Sequence, residues 1–257
     1  MTDDVPWQSS ISEVSANKIF VRGYDIAELM EKVSFSDAIY LVLRGNLPDA
    51  KSSELFRAIL VSSIDYGVTP PSVLATRTVM SAGNSLNTAV AAGIMAIGDV
   101  HGGAIEQSAR ILQEVARKDG DPHSLAISLV RDLKASKQRM PGFGHQLHTS
   151  DPRTIKLFEL AKKLGLYGKH AILTEEIEKV FAGDGKKTLP LNIDGAIAAV
   201  ISDLGFDWQM GNAFFMLSRI GGLVAHAYEE KTMQKPIRKL GDFNTIYTGP
   251  PHRTIGD

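Results

Sequence analysis

The spacing of apolar residues changes once along this chain, from the two-residue alternation of strands to the steps of helices. Strand-like alternation occurs in residues 11–24, where it predicts a short hairpin. From residue 25 onward, apolar positions recur at three- and four-residue steps, with short turns at glycine and proline between the segments. The chain is therefore expected to be all-α apart from one short N-terminal β-hairpin.

Capping and helix-breaking residues define the bounds of the predicted helices. Ser34 is placed to begin the second helix and Gly45 to end it, while Pro70-Pro71 and Asp151-Pro152 mark two further starts. The last helix is long and strongly apolar, which is typical of a core or interface helix. The predicted helices cover residues 25–32, 36–43, 49–66, 72–81, 88–97, 104–118, 124–136, 152–164, 174–182, 193–204 and 208–230.

Composition excludes several classes of function. The chain has 257 residues, of which 44% are apolar and 22% charged, so it can bury the core of an ordinary globular enzyme. Its net charge of −1 provides no basic field for nucleic acid or an anionic membrane. The absence of cysteine excludes disulfides, thiolate metal sites and cysteine nucleophiles. With no signal-peptide pattern and no apolar run long enough to span a bilayer, we expect a cytoplasmic protein that binds neither nucleic acid nor membrane.

Three short segments place a proton-moving side chain at a helix-breaking point. Glycine allows close approach of backbone and ligand, and imidazole and carboxylate are the usual proton carriers near neutral pH. Together, His101, His145 and Asp194 predict an acid/base site, although each alone would be a weak signal. The three segments are Gly98-Asp-Val-His-Gly-Gly103, Pro141-Gly-Phe-Gly-His145 and Leu191-Asn-Ile-Asp194.

The order of these motifs resembles the citrate synthase superfamily. The resemblance is strongest to its short members, the citryl-CoA lyases and the citryl-CoA lyase module of ATP-citrate lyase, and it extends over nearly the whole chain. It implies a citrate-synthase-like multi-helix fold, with a large lobe formed by residues 1–104 and 205–257 and a small lobe formed by residues 105–204. The segments that carry it are Val21–Leu29, Phe35, Leu43–Pro48, His101–Ala104, Gly142–His145, Asp151–Arg153, Asn192–Asp194 and Ser218-Arg219.

The resemblance gives each member of the trio an expected role. His101 would polarise the thioester carbonyl of an acetyl-CoA unit, which requires a pre-positioned donor. His145 would act where the carbon–carbon bond breaks, and Asp194 would move the proton at the acetyl methyl carbon. Each residue also has a structural alternative: a histidine bonded to its own loop, a simple glycine turn, and a helix N-cap.

The same resemblance implies a carboxylate-binding group. Arg153 and Arg219 would hold substrate carboxylates through charge-assisted hydrogen bonds. Their alternatives are a solvated first-turn residue and a stem packed along an apolar helix with its head in water. Tyr66 stands where the family commonly has a histidine in an Asp-His-Gly segment. A tyrosine keeps a hydroxyl donor but cannot carry a positive charge, so the keto acid, oxaloacetate or another, stays open.

Residues before His145 are expected to bind coenzyme A. Lys137 and Arg139 would contact its phosphates, although they also suit a charged helix C-terminus. Gly142 and Gly144 would let the ligand approach the backbone closely. The resemblance implies no tightly bound cofactor and no metal, because the coenzyme A thioester is itself substrate or product.

The C-terminal part of the chain resembles a segment that reaches a partner subunit's site in the family. Lys235 stands there where arginine is usual, so the resemblance leaves open whether Lys235 or Arg238 would reach the substrate. Family members form dimers or larger assemblies, so we expect a homodimer or higher homo-oligomer, with residues 214–224 as a candidate interface.

The expected activity is the retro-Claisen cleavage of citryl-CoA, or a close analogue, to acetyl-CoA and oxaloacetate or a related 2-keto acid. Its small-molecule partners would be the coenzyme A thioester and the keto or tricarboxylic acid. A citrate synthase-type acyltransferase is one alternative. A non-catalytic, coenzyme A-binding regulatory subunit that kept the fold is another, and Tyr66 and Lys235 leave room for it.

Overall fold

The computed structural model describes residues 7–144, 149–183, 189–238, 246–251 and 253–254. Within these ranges the chain is a helical assembly with one small N-terminal sheet, which confirms the predicted fold class. The helices are α1 Ile26–Lys32, α2 Phe35–Arg44, α3 Ala50–Ser62, α4 Pro71–Ser81, α5 Leu86–Met95, α6 Ala104–Val115, α7 Pro122–Ala135, α8 Pro152–Leu164, α9 Lys169–Gly183, α10 Ile193–Asp203, a 3₁₀ turn Trp208–Met210, and α11 Gly211–Met233.

The N-terminal sheet is antiparallel and extends the predicted hairpin by a third strand. Strands β1 (Ser12–Ser15) and β2 (Lys18–Val21) form the hairpin, and β3 (Tyr24–Asp25) pairs with the other edge of β2. Arg22, in the turn between β2 and β3, donates to the carbonyl of Val42 from Nε (3.2 Å) and Nη2 (2.7 Å). These two bonds fasten the sheet to α2.

Local capping explains the helix bounds that the sequence predicts well. Ser34 Oγ accepts from the Asp37 amide at the start of α2, and Gly45 ends that helix with a left-handed φ of 90°. Asp151 caps α8 by accepting from the Arg153 amide at 3.0 Å. In each case the capping residue lies within four residues of its hydrogen-bond partner, so the signal is local.

Two helix bounds differ from prediction by four or five residues, and a distant side chain contacts the backbone at each of them. Helix α3 ends at Ser62, four residues before the predicted end, and there Arg219 Nε donates to the carbonyl of Ser63 at 3.0 Å. Helix α9 begins at Lys169, five residues before its predicted start. The carboxylate of Asp203, at the end of α10, accepts from the amides of residues 168, 170 and 171 and supplies that cap from another helix.

Two helices organise the core. Helix α10 packs against α6, α8 and α9, and its residues 196–201 are at most 1% exposed. Helix α11 packs against α3, α4, α5 and α6, and its buried apolar residues include Phe214, Phe215 and Leu223. The predicted interface stretch, residues 214–224, is therefore largely core of this chain, with Ile220 and Val224 exposed. Among the described helices, none has the length and apolarity needed to cross a bilayer.

Candidate active site

One cavity of about 350 Å³ collects five of the predicted site residues. It lies where the loop before α6, the start of α10 and the middle of α11 approach one another. Loop 64–71 and the first turn of α8 complete its wall. The predicted residues in its lining are Tyr66, His101, Arg153, Asp194 and Arg219, and the rest of the lining is Thr69, Pro70, Pro71, Val100, Gly102, Asn192, Ile193 and Phe215.

Glycines fix the backbone around His101. The amide of His101 donates to the Gly98 carbonyl at 2.9 Å, and the Gly98 amide donates back to the His101 carbonyl at 3.0 Å. Gly102 has a φ of +89°, and a Cβ there would lie 2.6 Å from Phe215 Cδ1. A side chain at residue 102 would therefore meet both a strained backbone and the Phe215 ring, which itself packs edge-on to the His101 imidazole.

The start of α4 assigns the tautomer of His101. The Ser72 amide points at His101 Nε2 (3.4 Å), and Ser72 Oγ lies 2.8 Å from the same nitrogen. Because an amide N–H only donates, Nε2 is the acceptor and the ring proton lies on Nδ1. Burial, together with the positive charge of Arg219, lowers the pKa of His101 below its usual value. His101 is thus a neutral imidazole that can donate a hydrogen bond.

Asp194 lies in the first turn of α10, but the N-cap is Asn192. Asn192 Oδ1 accepts from the amides of Asp194 (3.0 Å) and Gly195 (3.2 Å), which leaves the Asp194 carboxyl free of capping. Burial raises the pKa of Asp194 to about 6, against the lowering influence of Arg153 and Arg219. The structure therefore favours a proton-carrying role for Asp194 over the capping alternative.

The loop before His145 is hydrogen-bonded to the segment that leads to Asp194. The Gly144 amide donates to the Pro190 carbonyl at 2.7 Å, and the Asn192 amide donates to the Gly142 carbonyl at 3.0 Å. Asn192 Nδ2 also donates to the Gly144 carbonyl at 2.9 Å. Two motifs that are about 50 residues apart in sequence thus form one unit. His145 itself lies outside the described residues, so its position stays a prediction.

Arg219 is a buried cation with an unsatisfied donor. The residue is 3% exposed, its Nε donates to the Ser63 carbonyl, and its guanidinium carbon lies 4.9 Å from the centre of the Phe215 ring. Its Nη1 is buried without a hydrogen-bond partner among the described residues. Its head group therefore does not reach water along the helix surface, as the structural alternative required. An unsatisfied guanidinium donor beside a cavity suits a ligand carboxylate.

Arg153 is held in place from two sides. Its Nε and Nη2 donate to the two oxygens of Asp151 at 3.0 and 2.8 Å, and Asp151 is 2% exposed. Its guanidinium carbon lies 4.8 Å from the centre of the Tyr66 ring, so Tyr66 provides a cation–π contact. The first-turn arginine is thus anchored on a buried carboxylate rather than solvated, and it lines the cavity.

The remaining predicted residues lie away from this cavity in the isolated chain. Lys137 and Arg139 are exposed after α7. Lys235 lines a separate cavity of about 380 Å³, and Arg238 is paired with Glu230, its Nε donating to Oε1 at 2.8 Å. Their assignments to coenzyme A and to a partner's site stay predictions. No group of three His, Asp or Glu side chains in the described ranges has metal-ligand geometry.

Sequence reasoning missed the residues that orient the site. Ser72 is fully buried against His101, although in sequence it is only the residue after Pro70-Pro71. Asp151 was identified as a helix start, but its ion pair with Arg153 was not. Phe215 is one of many apolar residues in α11. The cap at Asp151 is readable locally, whereas contacts across tens of residues leave no local pattern.

Comparison with known proteins shows what the sequence and the fold of this chain are similar to. The chain is 41% identical to the citryl-CoA lyase from Hydrogenobacter thermophilus, with a TM-score of 0.90 and 97% of each chain covered. The ATP citrate lyase from Methanothrix soehngenii, at 19% identity, shares the fold with a TM-score of 0.83 over 98% of this chain and 43% of that one. Citrate synthase 2 from Bacillus subtilis is 28% identical over 235 residues, 89% of this chain and 60% of that protein.

The curated relatives are mostly longer proteins, and the chain spans about half the length of those it matches. The family model described as citrate synthase, C-terminal domain, matches residues 3–60 and 49–240. That match covers most of the chain and includes all thirteen residues that line the cavity. The chain belongs to the citrate synthase family.

Proposed function

We propose that this chain is a carbon–carbon lyase that cleaves citryl-CoA, or a close analogue, to acetyl-CoA and oxaloacetate or a related 2-keto acid. The single observation that carries the proposal is the cavity in which a neutral imidazole, a carboxyl of raised pKa and two arginines meet. The 41% identity to a citryl-CoA lyase over 97% of both chains favours cleavage over the other reactions of the family.

The proposed reaction needs one base, one hydrogen-bond donor and one acid. His145 would take the proton of the substrate's alcohol while the adjacent carbon–carbon bond breaks and the alcohol carbon becomes a keto carbonyl. The released electron pair forms the enolate of acetyl-CoA, whose oxygen accepts a hydrogen bond from Nδ1–H of His101. Asp194 then delivers its proton to the enolate carbon to give acetyl-CoA. A carboxyl with a pKa of about 6 carries a proton far more often at neutral pH than an ordinary aspartate.

The arginines account for the acidic part of the substrate. Arg219 would bind a carboxylate through the donor that is now unsatisfied, and Arg153 would bind through the edge that Asp151 leaves open. Tyr66 would contribute its ring to Arg153 and its hydroxyl to the keto acid. Because Tyr66 lines this part of the cavity, the keto acid product is either oxaloacetate or a different 2-keto acid.

The competing function is a synthase that condenses acetyl-CoA with a keto acid and hydrolyses the thioester, which the likeness to Bacillus subtilis citrate synthase 2 favours. A direct experiment supplies the purified chain with citryl-CoA, or with acetyl-CoA and oxaloacetate, in the presence of a thiol reagent. We expect acetyl-CoA from citryl-CoA without free thiol. Steady release of free coenzyme A would establish the synthase, and coenzyme A binding without turnover of citryl-type thioesters would establish the regulatory subunit.

The proposal includes two lobes and self-association. Residues 105–204 would form the small lobe that closes over the substrate. Lys137, Arg139, Gly142 and Gly144 would then lie near coenzyme A, and the protein would be cytoplasmic.

Ile220, Val224 and Tyr228 recur at four-residue steps on α11 and are 46%, 41% and 65% exposed. We expect this face to pack in a homo-oligomer. Light scattering should give a multiple of 27.9 kDa that falls in Val224→Arg; a monomeric wild type would refute it.

A further inference from the structure

The turn that carries Tyr66 rests on one face of α11. Arg219 binds the Ser63 carbonyl, and three residues later a Cβ on Gly222 would lie 2.4 Å from the Ile64 carbonyl oxygen, so the turn backbone touches the helix there. One helical turn further, His226 Nε2 lies 2.9 Å from Asp65 Oδ1. Residues 219, 222 and 226 therefore hold residues 63–65 immediately before Tyr66.

The hydrogen bonds of His226 assign its tautomer. Arg77 Nη1 lies 3.1 Å from His226 Nδ1, and a guanidinium only donates, so Nδ1 is the acceptor. The ring proton then lies on Nε2 and is donated to Asp65. His226 thus connects a cation on α4 with the carboxylate of the turn.

Arg77, which donates to His226, is itself held in place by two ion pairs. Its side chain is 7% exposed and donates to Glu230 from Nε and to Glu229 from Nη1, both at 2.7 Å. Glu229 also lies 3.7 Å from His226 Nδ1. Arg77, Glu229 and Asp65 are the charged groups that face His226, and the side chain of His226 is 12% exposed. A buried, doubly paired arginine has little freedom to move, so it holds the imidazole in one orientation.

Asp65 links His226 to the turn that carries Tyr66. Its Oδ2 accepts from the Gly67 amide at 3.0 Å, which closes the turn around Tyr66. Although burial opposes it, the bonds from Gly67 and His226 lower the pKa of Asp65, so the carboxylate is charged at neutral pH. Tyr66 in turn lies under the Arg153 guanidinium.

We propose that His226 is a positioning residue that fixes the Asp65–Gly67 turn and thereby places Tyr66 against Arg153. The effect on catalysis rests on the proposed function, in which Tyr66 and Arg153 bind the keto acid. His226 does not line the cavity and has no place in the proton transfers. Its loss should therefore weaken binding of the acidic part of the substrate while leaving the chemical step and coenzyme A binding intact.

The test compares His226→Leu with His226→Gln, whose amide can both accept from Arg77 and donate to Asp65. In His226→Leu we expect the KM for citryl-CoA to rise about tenfold, the scale of one or two hydrogen bonds, with kcat nearly unchanged. His226→Gln should restore most of the lost affinity. The matched control is His123→Leu, which removes an exposed histidine of α7 that is paired with Glu176 of α9, far along the chain from the turn. It should behave as wild type.

A double variant distinguishes a positioning role of His226 from a general loss of stability. If His226 acts through Tyr66, the change in KM should vanish when His226→Leu is made in a Tyr66→Ala chain. Additive effects in the double variant, or an equal loss of kcat, would overturn the proposal. If His226→Leu does not fold, Asp65→Ala breaks the same contact from the exposed partner and should show the same rise in KM.

Hydrogen exchange tests the same inference without catalysis. Amides of residues 63–68 should exchange faster in His226→Leu and Asp65→Ala than in wild type, while those of α10 should not change. Unchanged exchange in this turn would refute the positioning role even in an active enzyme. A wild type that fails to cleave citryl-CoA would refute the proposed function instead, and the exchange data would still decide whether His226 holds the turn.

Discussion

Gly142 and Gly195 lie in backbone contact. A Cβ on Gly142 would come within 2.5 Å of the Gly195 Cα, and a Cβ on Gly195 would come within 2.6 Å of the Gly142 carbonyl oxygen. Gly142 also has a φ of +81°. The loop that leads to His145 can therefore lie directly on the first turn of α10 because neither residue has a side chain.

Gly195→Ala should separate this loop from α10. The added methyl meets backbone rather than a movable side chain, so we expect a loss of about 1–3 kcal/mol in the free energy of unfolding. Activity should fall more steeply than stability, because Asp194 is the adjacent residue. Urea unfolding and citryl-CoA turnover measure the two effects. Gly183→Ala, where a Cβ meets nothing within 4 Å, is the control; equal effects in both variants would contradict the prediction.

Asp194→Asn should stabilise the fold at neutral pH and lower the activity. Because the folded-state pKa is about 6 and the ordinary value 3.8, the ionised carboxylate destabilises the fold by about 3 kcal/mol above pH 6. This cost fades as the pH falls from 6 towards 4, where the folded protein takes up the proton. Asn should therefore raise the unfolding free energy at pH 7 but scarcely at pH 4, while lowering kcat by about 10²–10⁴. A pH-independent difference in urea unfolding would refute this linkage.

Arg219→Met should weaken carboxylate binding without unfolding the chain. Methionine fills similar space and removes a buried charge whose Nη1 has no partner among the described residues, so unfolding free energy should not fall by more than about 1 kcal/mol. Loss of charge-assisted bonds should weaken oxaloacetate binding about 10–100-fold, as calorimetry would show. The control Arg131→Met removes an exposed arginine paired with its neighbour Asp132. Unchanged oxaloacetate affinity in Arg219→Met would argue against its role.

Ser72→Ala tests the orientation of His101. The substitution removes the hydroxyl 2.8 Å from Nε2 and leaves the long contact to the residue 72 amide. We expect kcat to fall about 10–100-fold through misplacement of the donor, with coenzyme A affinity unchanged. Ser81→Ala, at the other end of α4, provides a comparison in which the hydroxyl bonds only to its own helix. Wild-type kcat in Ser72→Ala would exclude the orienting role.

Local chemistry explains which parts of the fold were predictable. The hairpin, the capped helices and the bounds at Ser34, Gly45 and Asp151 follow from residues that act on neighbours within a few positions. The ends set by Arg219 and Asp203 could not be predicted, since each side chain satisfies backbone more than 30 residues away. Such contacts exist only once the helices have packed.

The sequence predicts which residues belong to the candidate site better than it predicts the surroundings that set their chemistry. His101 lies beside glycines and Asp194 follows a short apolar strip, and the cavity brings these two residues together with Tyr66, Arg153 and Arg219. The surroundings that set their charge states come from elsewhere: burial and Arg219 for His101, and burial by surrounding helices for Asp194. Ionisation depends on three-dimensional surroundings, which no linear pattern records.

The residues around the cavity are attached to two different parts of the fold. Hydrogen bonds between residues 142–144 and 190–192 join one of these parts into a unit. Asp194 and the stretch leading to His145 share one support, whereas Ser72 and Arg219 belong to α4 and α11. A relative displacement of these two supports would change the distance between Asp194 and His101 while each keeps its own hydrogen bonds. Under the proposed function, a thioester that contacts both supports would assemble the reacting groups, and its departure would separate them again as two intact halves.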